Sequence, residues 1–383
     1  MIVGIEVGGT FTDLIALLDD GRAVIHKTPS TPDDPSRAAI TGLTELLERI
    51  GATGGDVTEL LHGSTIAANA LIQRRGAKAA LITTEGFRDV LFIQRQDKTV
   101  VYDMFYQKPA PLLARDMAFE APERMSAKGE VVRPLDEAAV TALVDRLVDE
   151  LGVNSIAVSL LHAYANPAHE QAIGRLIEAR HPDVYVSLSS DIAPEHREYE
   201  RTSTTVIGAF VRPTVDRYLK EFAASAAALG VKPAPLIMLS NGGVAPVEAA
   251  RRLAANMFLS GPAAAVTGAA ATAKLVGAPD IISIDVGGTS SDVCLITGGA
   301  PQTTVKGTSE FSVDGLPLNI VMTDIVSIGA GGGSIAWIDA GGMLQVGPQS
   351  AGAAPGPACY GHGGEAFCLS DAMVLLGLLD PAI

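Results

Sequence analysis

Cysteine is scarce: Cys294, Cys359 and Cys368 are the only three in 383 residues, and no two stand as a CxxC pair. That excludes a disulfide framework and a zinc ribbon, and it favours a reducing cytoplasm as the setting. Cations are short as well. With Lys+Arg 28 against Asp+Glu 43, the formal net charge of -15 repels phosphate at long range, so neither nucleic acid nor an anionic membrane is an expected partner. A phosphate site on such a chain has to be built locally, from backbone N–H groups, a metal ion or a few placed cations. Long apolar runs are also missing. The start MIVGIEVGG has no basic n-region and no long h-region and enters a strand pattern at once, so no signal peptide is expected. The Ala/Gly-rich run from Ser260 to Gly277 holds few large apolar residues and suits a closely packed helix better than a membrane span.

What is present describes a soluble globular chain, 48% hydrophobic and 19% charged, long enough for two or more domains of ~150 residues each. β-branched and apolar stretches at 2 to 7 and 11 to 18 read as strands around a Gly-Gly turn, followed by a helix from Pro35 to Ile50. A strand ending near His62, a helix over 65–75, strand 79–84, a polar loop over 87–111 and an amphipathic helix over 135–151 come next. Strand 155–161, helix 167–180 and strand 184–188 make a βαβ rhythm, which implies a parallel sheet covered by helices. Helix 203–229, strand PLIMLS, helices 246–254 and 261–276, and strands 281–286 and 291–297 complete the reading. Pro, Ser and charge density around 189–203 mark the expected boundary between domains 1–190 and 200–383.

One pattern occurs twice. GIEVGGTFTD, residues 4–13, returns as SIDVGGTSSD, residues 283–292, with Ile5/Ile284, Val7/Val286, Gly8/Gly287, Gly9/Gly288, Thr10/Thr289 and Asp13/Asp292 identical and Glu6 opposite Asp285. Each copy ends a strand on an acid, turns tightly on glycine and returns with Thr and Asp. Such a turn lets backbone N–H groups approach a phosphate unobstructed, and the Thr hydroxyl adds a donor. Carboxylates beside phosphate make sense through Mg²⁺ or an ordered water. Two hairpins on related domains could grip one polyphosphate from both sides.

The duplicated hairpin resembles the two phosphate loops of the actin, hexokinase and heat-shock chaperone ATPase superfamily. HGSTIAANAL (62–71), REYERTSTTVIGAFVRP (197–213), SNGGV (240–244), SGPAAAV (260–266), IGAGGGSIAW (328–337) and SAGAAPGPACYG (350–361) narrow the resemblance to the hydantoinase/oxoprolinase family, hydantoinase A type. It implies an α/β fold of two related actin/hexokinase-like ATPase domains, mixed sheets flanked by helices, with a cleft between them. It implies ATP and Mg²⁺ as cofactors, and opening of a small cyclic amide such as 5-oxoproline, a hydantoin or another lactam. A hydantoinase B-type subunit would be a partner, and because family members run further, to a later FGGAGP-like loop that resembles the adenosine-binding element, either a second polypeptide supplies that C-terminal half or the sequence is a truncation. Carried over residue by residue, Gly8, Gly9, Thr10, Gly287, Gly288 and Thr289 are expected at the phosphates. Glu6 and Asp285 are expected to hold the metal, with Asp13 and Asp292 ordering water or the acceptor. Glu6 stands where the family usually has Asp, one methylene longer.

Other constellations stay open at this point. His62 either faces a cleft and binds or protonates substrate, or is a partly buried, hydrogen-bonded histidine. EHREYER, 195–201, is either a solvated helix start or a source of a catalytic Glu198 and of an Arg197 or Arg201 clamp on a substrate carboxylate. Gly331 and Gly332, in GAGGGS, lie either in a flexible loop or on the backbone-lined rim of a nucleotide site. Cys359 in PGPACYG reads as structural, and the methionines and Trp337 as packing. A small-molecule kinase, an ATP-dependent carboxylase subunit and a nucleotide-binding subunit without turnover are the alternative functions on the same fold.

Overall fold

The computed structural model describes residues 1–9, 11–31, 34–95, 98, 100–304, 312–313, 315–352 and 355–380. The chain divides into two compact units, Met1–Gly261 with Thr304–Met322, and Pro262–Thr303 with Thr323–Ile383. This division falls after Gly261 and not within 189–203.

Unit 1 holds two sheets. Strands β1 (Ile2–Val7), β2 (Phe11–Leu17) and β3 (Ala23–Pro29) form an antiparallel meander, and β4 (Glu59–Ser64) adds parallel to β1. Between them runs helix α1 (Pro35–Ile50), started by Asp34, whose side chain accepts the Ser36 N–H, with Pro35 in its first turn, and stopped by Gly51 in the left-handed region at φ 66°. After β4 come α2 (Ile66–Ile72), β5 (Ala79–Thr84), β6 (Ala118–Ala121), α3 (Glu137–Asp145), β7 (Ser155–Ser159), α4 (Ala168–Arg180) and β8 (Tyr185–Leu188). The second sheet, in the order β8-β7-β5-β6, is parallel throughout, as the βαβ rhythm requires.

The reason unit 1 continues past residue 190 is the 31-residue helix α5 (Glu198–Ala228). It packs against α1 and α2 at the first sheet and against β5, β7 and β8 of the second. Strands β9 (Leu236–Met238) and β10 (Val244–Pro246) then complete the first sheet, order β10-β9-β4-β1-β2-β3, before α6 (Val247–Arg252). Val3, Ile5, Val7, Leu43, Leu46 and Phe222 form the core under β1. A second core joins Leu71, Phe210, Leu219 and Phe258 to Leu316, Leu318, Ile320 and Met322, which return from far along the chain.

Helix α7 (Ser260–Leu275), which enters unit 2 at Pro262, precedes β11 (Ile281–Val286) and β12 (Ser291–Thr297), an antiparallel hairpin with Asp285 opposite Asp292. Strands β13 (Ala300–Pro301) and β14 (Ile325–Ile328) both pair with β12. A separate hairpin, β15 (Ser334–Ile338) with β16 (Leu344–Ser350), and helix α8 (Leu369–Leu375) follow. The buried cluster is small: Val266 and Ala270 of α7 against Cys294 and Ile296. Among the described residues no helix is long and apolar enough to cross a membrane.

Candidate functional site

The first glycine turn ends the buried strand β1. Gly8 N–H donates to the Phe11 carbonyl at 3.0 Å and closes the turn, and the Gly8 carbonyl accepts Ser30 Oγ at 2.8 Å. Both polar groups of Gly8 are therefore spent on the hairpin, which revises its expected role as a phosphate donor. Gly9 differs: its N–H has no partner among the described residues, and a Cβ built there would meet nothing within 4 Å. The bare, outward backbone that a phosphate needs is at Gly9. Thr10 lies outside the described residues.

Strand register sets the acids. Glu6 on β1 stands directly opposite Asp13 on β2, and Gly63 on β4 is its other neighbour. The Glu6 side chain is half-buried, and a Cβ added at Gly63 or at Gly261 would run into its carboxylate. Two glycines thus keep the space that the extra methylene of Glu6 fills. Burial, and then the Asp13 charge, push the Glu6 carboxyl up to about 7. No donor among the described residues reaches it. Asp13 is exposed and pairs with Lys27 of β3, which also lies 4.9 Å from the Phe11 ring centroid.

These residues fit a divalent cation. Glu6 has no donor of its own and lies between glycines that carry no Cβ, and Asp13, exposed and paired with Lys27, stands in register with it, so a hard cation would be held by Glu6 with Asp13 as the neighbouring oxygen donor. Among the described residues, three or more ligand-type side chains converge only at Asp145, Asp149 and His181, and there Asp145 is already paired with Arg180 and His181.

His62 takes the second of its two readings. It is fully buried, stacked 4.2 Å from the Phe222 ring, with Nδ1 on the Ile5 carbonyl at 3.1 Å and Nε2 on Tyr218 Oη at 2.8 Å. Burial pushes its pKa down to about 4. A neutral imidazole with both nitrogens occupied holds β4 and α5 in place and has no free atom for a substrate.

The second hairpin repeats the turn chemistry. Gly287 N–H donates to the Ser290 carbonyl at 2.8 Å, matching Gly8, while Gly288 and the exposed Thr289 remain available. Asp285 is exposed, and Asp292 accepts Ser327 Oγ. The GAGGGS segment packs on this turn. Gly332 N–H donates to Gly287 O at 2.8 Å, Gly333 N–H to Gly288 O at 2.7 Å, and Gly331 N–H to Ser334 Oγ at 2.8 Å. A Cβ at Gly331 would meet Gly287 O at 2.5 Å. Gly331 and Gly332 therefore buttress the turn, and their N–H groups are already used.

A cavity of about 790 Å³ in unit 1 borders Gly8, Gly9, Ser64, Thr65, Arg75 and Arg217. Its two cations are matched by two acids, Asp34 and Glu221, and neither Glu6 nor Asp13 lines it. Glu198 is not there either: it is exposed at the start of α5, in a shallow depression with Arg95 and Arg197. Arg201 is buried, its Nη atoms on the carbonyls of Glu195 (2.7 Å) and Leu160 (3.0 Å), so it cannot serve as the substrate clamp. Burial, then Asp371, raises the exposed Cys359 thiol, consistent with a structural cysteine. Reading the sequence missed Lys27, because β3 was not recognised, and it missed the pairing of Gly63 and Gly261 around Glu6. Both glycines stand in quoted motifs, HGSTIAANAL and SGPAAAV, and that was the available signal.

The family model of the hydantoinase/oxoprolinase N-terminal region matches residues 2–181 and the hydantoinase/oxoprolinase model matches residues 201–383. The chain belongs to the hydantoinase/oxoprolinase family. It is 38% identical to caprolactamase subunit alpha of Pseudomonas jessenii over 98% of its own length and 54% of the relative. A solved structure of the ATP-dependent caprolactamase from Pseudomonas jessenii superposes with a TM-score of 0.85 at 37% identity, covering 99% of this chain and 55% of that one. The acetophenone carboxylase gamma subunit of Aromatoleum aromaticum is 35% identical over 99% of this chain and 53% of its own. The nucleotide-free structure of acetone carboxylase gives a TM-score of 0.79 at 28% identity, covering 100% of this chain and 55% of that one. The chain spans about half the length of these relatives.

Proposed function

We propose that this family member works as part of an ATP-dependent hydrolase that opens a cyclic amide by phosphorylating its carbonyl oxygen. The observation that carries the reading is the duplicated glycine hairpin, each copy with an unpartnered glycine N–H and two acids in cross-strand register. A lactam carbonyl is a poor electrophile. Transfer of the γ-phosphoryl group to its oxygen forms a P–O bond, releases ADP and leaves an imidate phosphate. Water adds to the carbon, the nitrogen takes a proton and the C–N bond breaks to leave an acyl phosphate, which a second water hydrolyses to the carboxylate and inorganic phosphate. Gly9 and Gly288 N–H, with the Thr10 and Thr289 hydroxyls, would donate to phosphoryl oxygens, where fixed donors stabilise charge that grows in the transition state. Asp13 and Asp292 would orient the acceptor or the attacking water. Glu6 and Asp285 would hold Mg²⁺, which supplies charge neutralisation at the phosphates when bound.

A hydantoinase B-type subunit and a segment equivalent to the rest of the longer relatives complete this proposed assembly. In support, Ile282, Ile284, Val286, Leu295, Val326 and Ile328 present exposed apolar side chains on the sheet of unit 2. A second reading, an ATP-dependent carboxylase subunit acting on a ketone, draws support from the acetophenone and acetone carboxylase likenesses. One assay separates the two: Mg·ATP with a lactam panel, and with ketone plus bicarbonate, in the presence and absence of partner subunits, following phosphate, ring opening and carboxylate product. Asp13→Asn should lower turnover by roughly 10²-fold to 10³-fold, the scale of losing one transition-state contact. Full activity in Asp13→Asn and Asp292→Asn would remove the hairpins from the chemistry.

A further inference from the structure

Away from the glycine turns, β8, α4, α5 and the end of α6 enclose a second cavity of about 290 Å³. Three guanidinium groups border it, Arg175, Arg212 and Arg252, together with the Gln171 carboxamide and the Ser187 hydroxyl. Two acids, Glu178 and Asp191, border it as well, so in a chain of net charge -15 the lining keeps a small formal excess of cations.

Arg212 is fixed in advance. It donates from Nη1 to the Val186 carbonyl, and its guanidinium carbon lies 5.7 Å from the Tyr185 ring centroid. The acid one helical turn along, Asp216, and Glu178 offset its charge only in part, because Asp216 is already taken by Arg251 at 2.7 Å, Lys220 at 2.8 Å and the Tyr185 hydroxyl at 2.8 Å. Arg212 Nε is buried and has no hydrogen-bond partner. Burial first, and then the charge of Arg252, hold the Arg212 guanidinium below its ordinary pKa, which places two like charges side by side. Ser187 is 3% exposed, and its Oγ is likewise buried with no partner. Buried polar groups in folded chains are nearly always satisfied, so two orphans on residues that line one cavity point to a ligand whose binding draws both toward it. Glu178 and Asp191 also border the cavity, and neither forms an ion pair with a described residue.

We propose that this cavity binds a small oxyanion, a phosphate or carboxylate group, gripped by Arg212 and Arg252 with Ser187 as the buried donor. A guanidinium presents a planar fork that matches two oxygens of such a group, and the serine hydroxyl can donate to a third. The volume sits at the lower edge of the ~300–1,000 Å³ of ligand pockets, which suits an acid of a few heavy atoms and not a nucleotide. The site shares no residue with the hairpins and stands whether or not they act on a lactam.

The test is calorimetric titration of the full chain with inorganic phosphate, and separately with glutarate, at an ionic strength held constant with chloride. Saturable binding of either anion is expected, and the one that binds names the ligand chemistry. Arg252→Gln, at an exposed position that the fold does not need, should weaken it by about tenfold or more, the scale of a charge-assisted hydrogen bond. Ser187→Ala should weaken it a few-fold while leaving the melting temperature in chloride unchanged. Arg212→Gln is informative only if its circular dichroism matches the parent, which is why the first two variants decide. No saturable heat with either anion, or binding unmoved by both Arg252→Gln and Ser187→Ala, as for phosphate held at a glycine turn, would overturn the proposal.

Discussion

The hairpins β1–β2 and β11–β12 are written in nearly the same residues and end up in opposite surroundings. Ile5 and Val7 are 3% exposed beneath α1 and Phe222; their counterparts Ile284 and Val286 are 64% and 55% exposed. Both hairpins nevertheless close with the same register and the same glycine N–H bond. The turn is thus specified locally, by glycine geometry and strand alternation, while its contribution to stability is decided by what lies against the apolar face. The acids follow suit: Glu6 is confined between Gly63 and Gly261, whereas Asp285 is exposed.

The sharpest way to break this comparison is to truncate the matched isoleucines. Ile5→Ala should cost about 2–5 kcal/mol, as large-to-small changes in packed cores do, and Ile284→Ala less than about 0.5 kcal/mol, measured by urea unfolding. Equal losses would mean that the second face is covered in solution. A segment or subunit that binds this face should raise the cost of Ile284→Ala and leave that of Ile5→Ala as it is.

The acids give the next largest contrast. Glu6 titrates near 7 in the folded state against 4.5 when unfolded. A carboxyl with a raised folded pKa binds more protons folded than unfolded, so its contribution falls as pH climbs from 4.5 to 7 and stays low above that. Glu6→Gln should therefore stabilise the chain at pH 8, by about 3 kcal/mol at most, and do nothing at pH 4. Asp285→Asn should change neither value. Mg²⁺ should raise the melting temperature of the parent more than that of Glu6→Gln, and an equal rise in both would place the cation elsewhere.

The smallest difference concerns the partners of the returning acids. Lys27 pairs with Asp13, and Ser327 with Asp292. Lys27→Met should cost no more than about 1 kcal/mol, less at high salt, because the pair is exposed and screened. A larger, salt-insensitive loss would show that Lys27 also supports Phe11 through the ring contact.

Much of the fold was legible in the sequence. Strong periodicity placed β1, β2, β11 and β12 almost to the residue, and Asp34-Pro35 with Gly51 bounded α1. The α/β class followed from the βαβ rhythm. The unit division did not, because the charge-rich segment at 189–203 looks like a linker and actually opens α5, whose buried polar run Thr202–Thr205 is satisfied by long-range partners such as Ser159 and Asn319. At the site, the glycines and acids could be named from the repeat. Which N–H groups stay free could not, since that depends on how the Phe11 and Ser290 carbonyls turn inward and on the return of Gly331–Gly333 from later in the chain. His62 was undecidable for the same reason: its two partners, Ile5 and Tyr218, lie 57 and 156 residues away.

The return of residues 316–322 into the core of unit 1 bears on how the chain is made. Leu316, Leu318, Ile320 and Met322 are buried against α2 and α5, so a nascent chain that has emerged only to Gly261 carries an open hydrophobic groove. At roughly 5–20 residues per second, synthesis needs about 3–12 s more to deliver the segment that fills it. During that interval the second hairpin leaves the ribosome with its own apolar face bare. Both faces are thus exposed together on the growing polypeptide until residues 316–322 arrive.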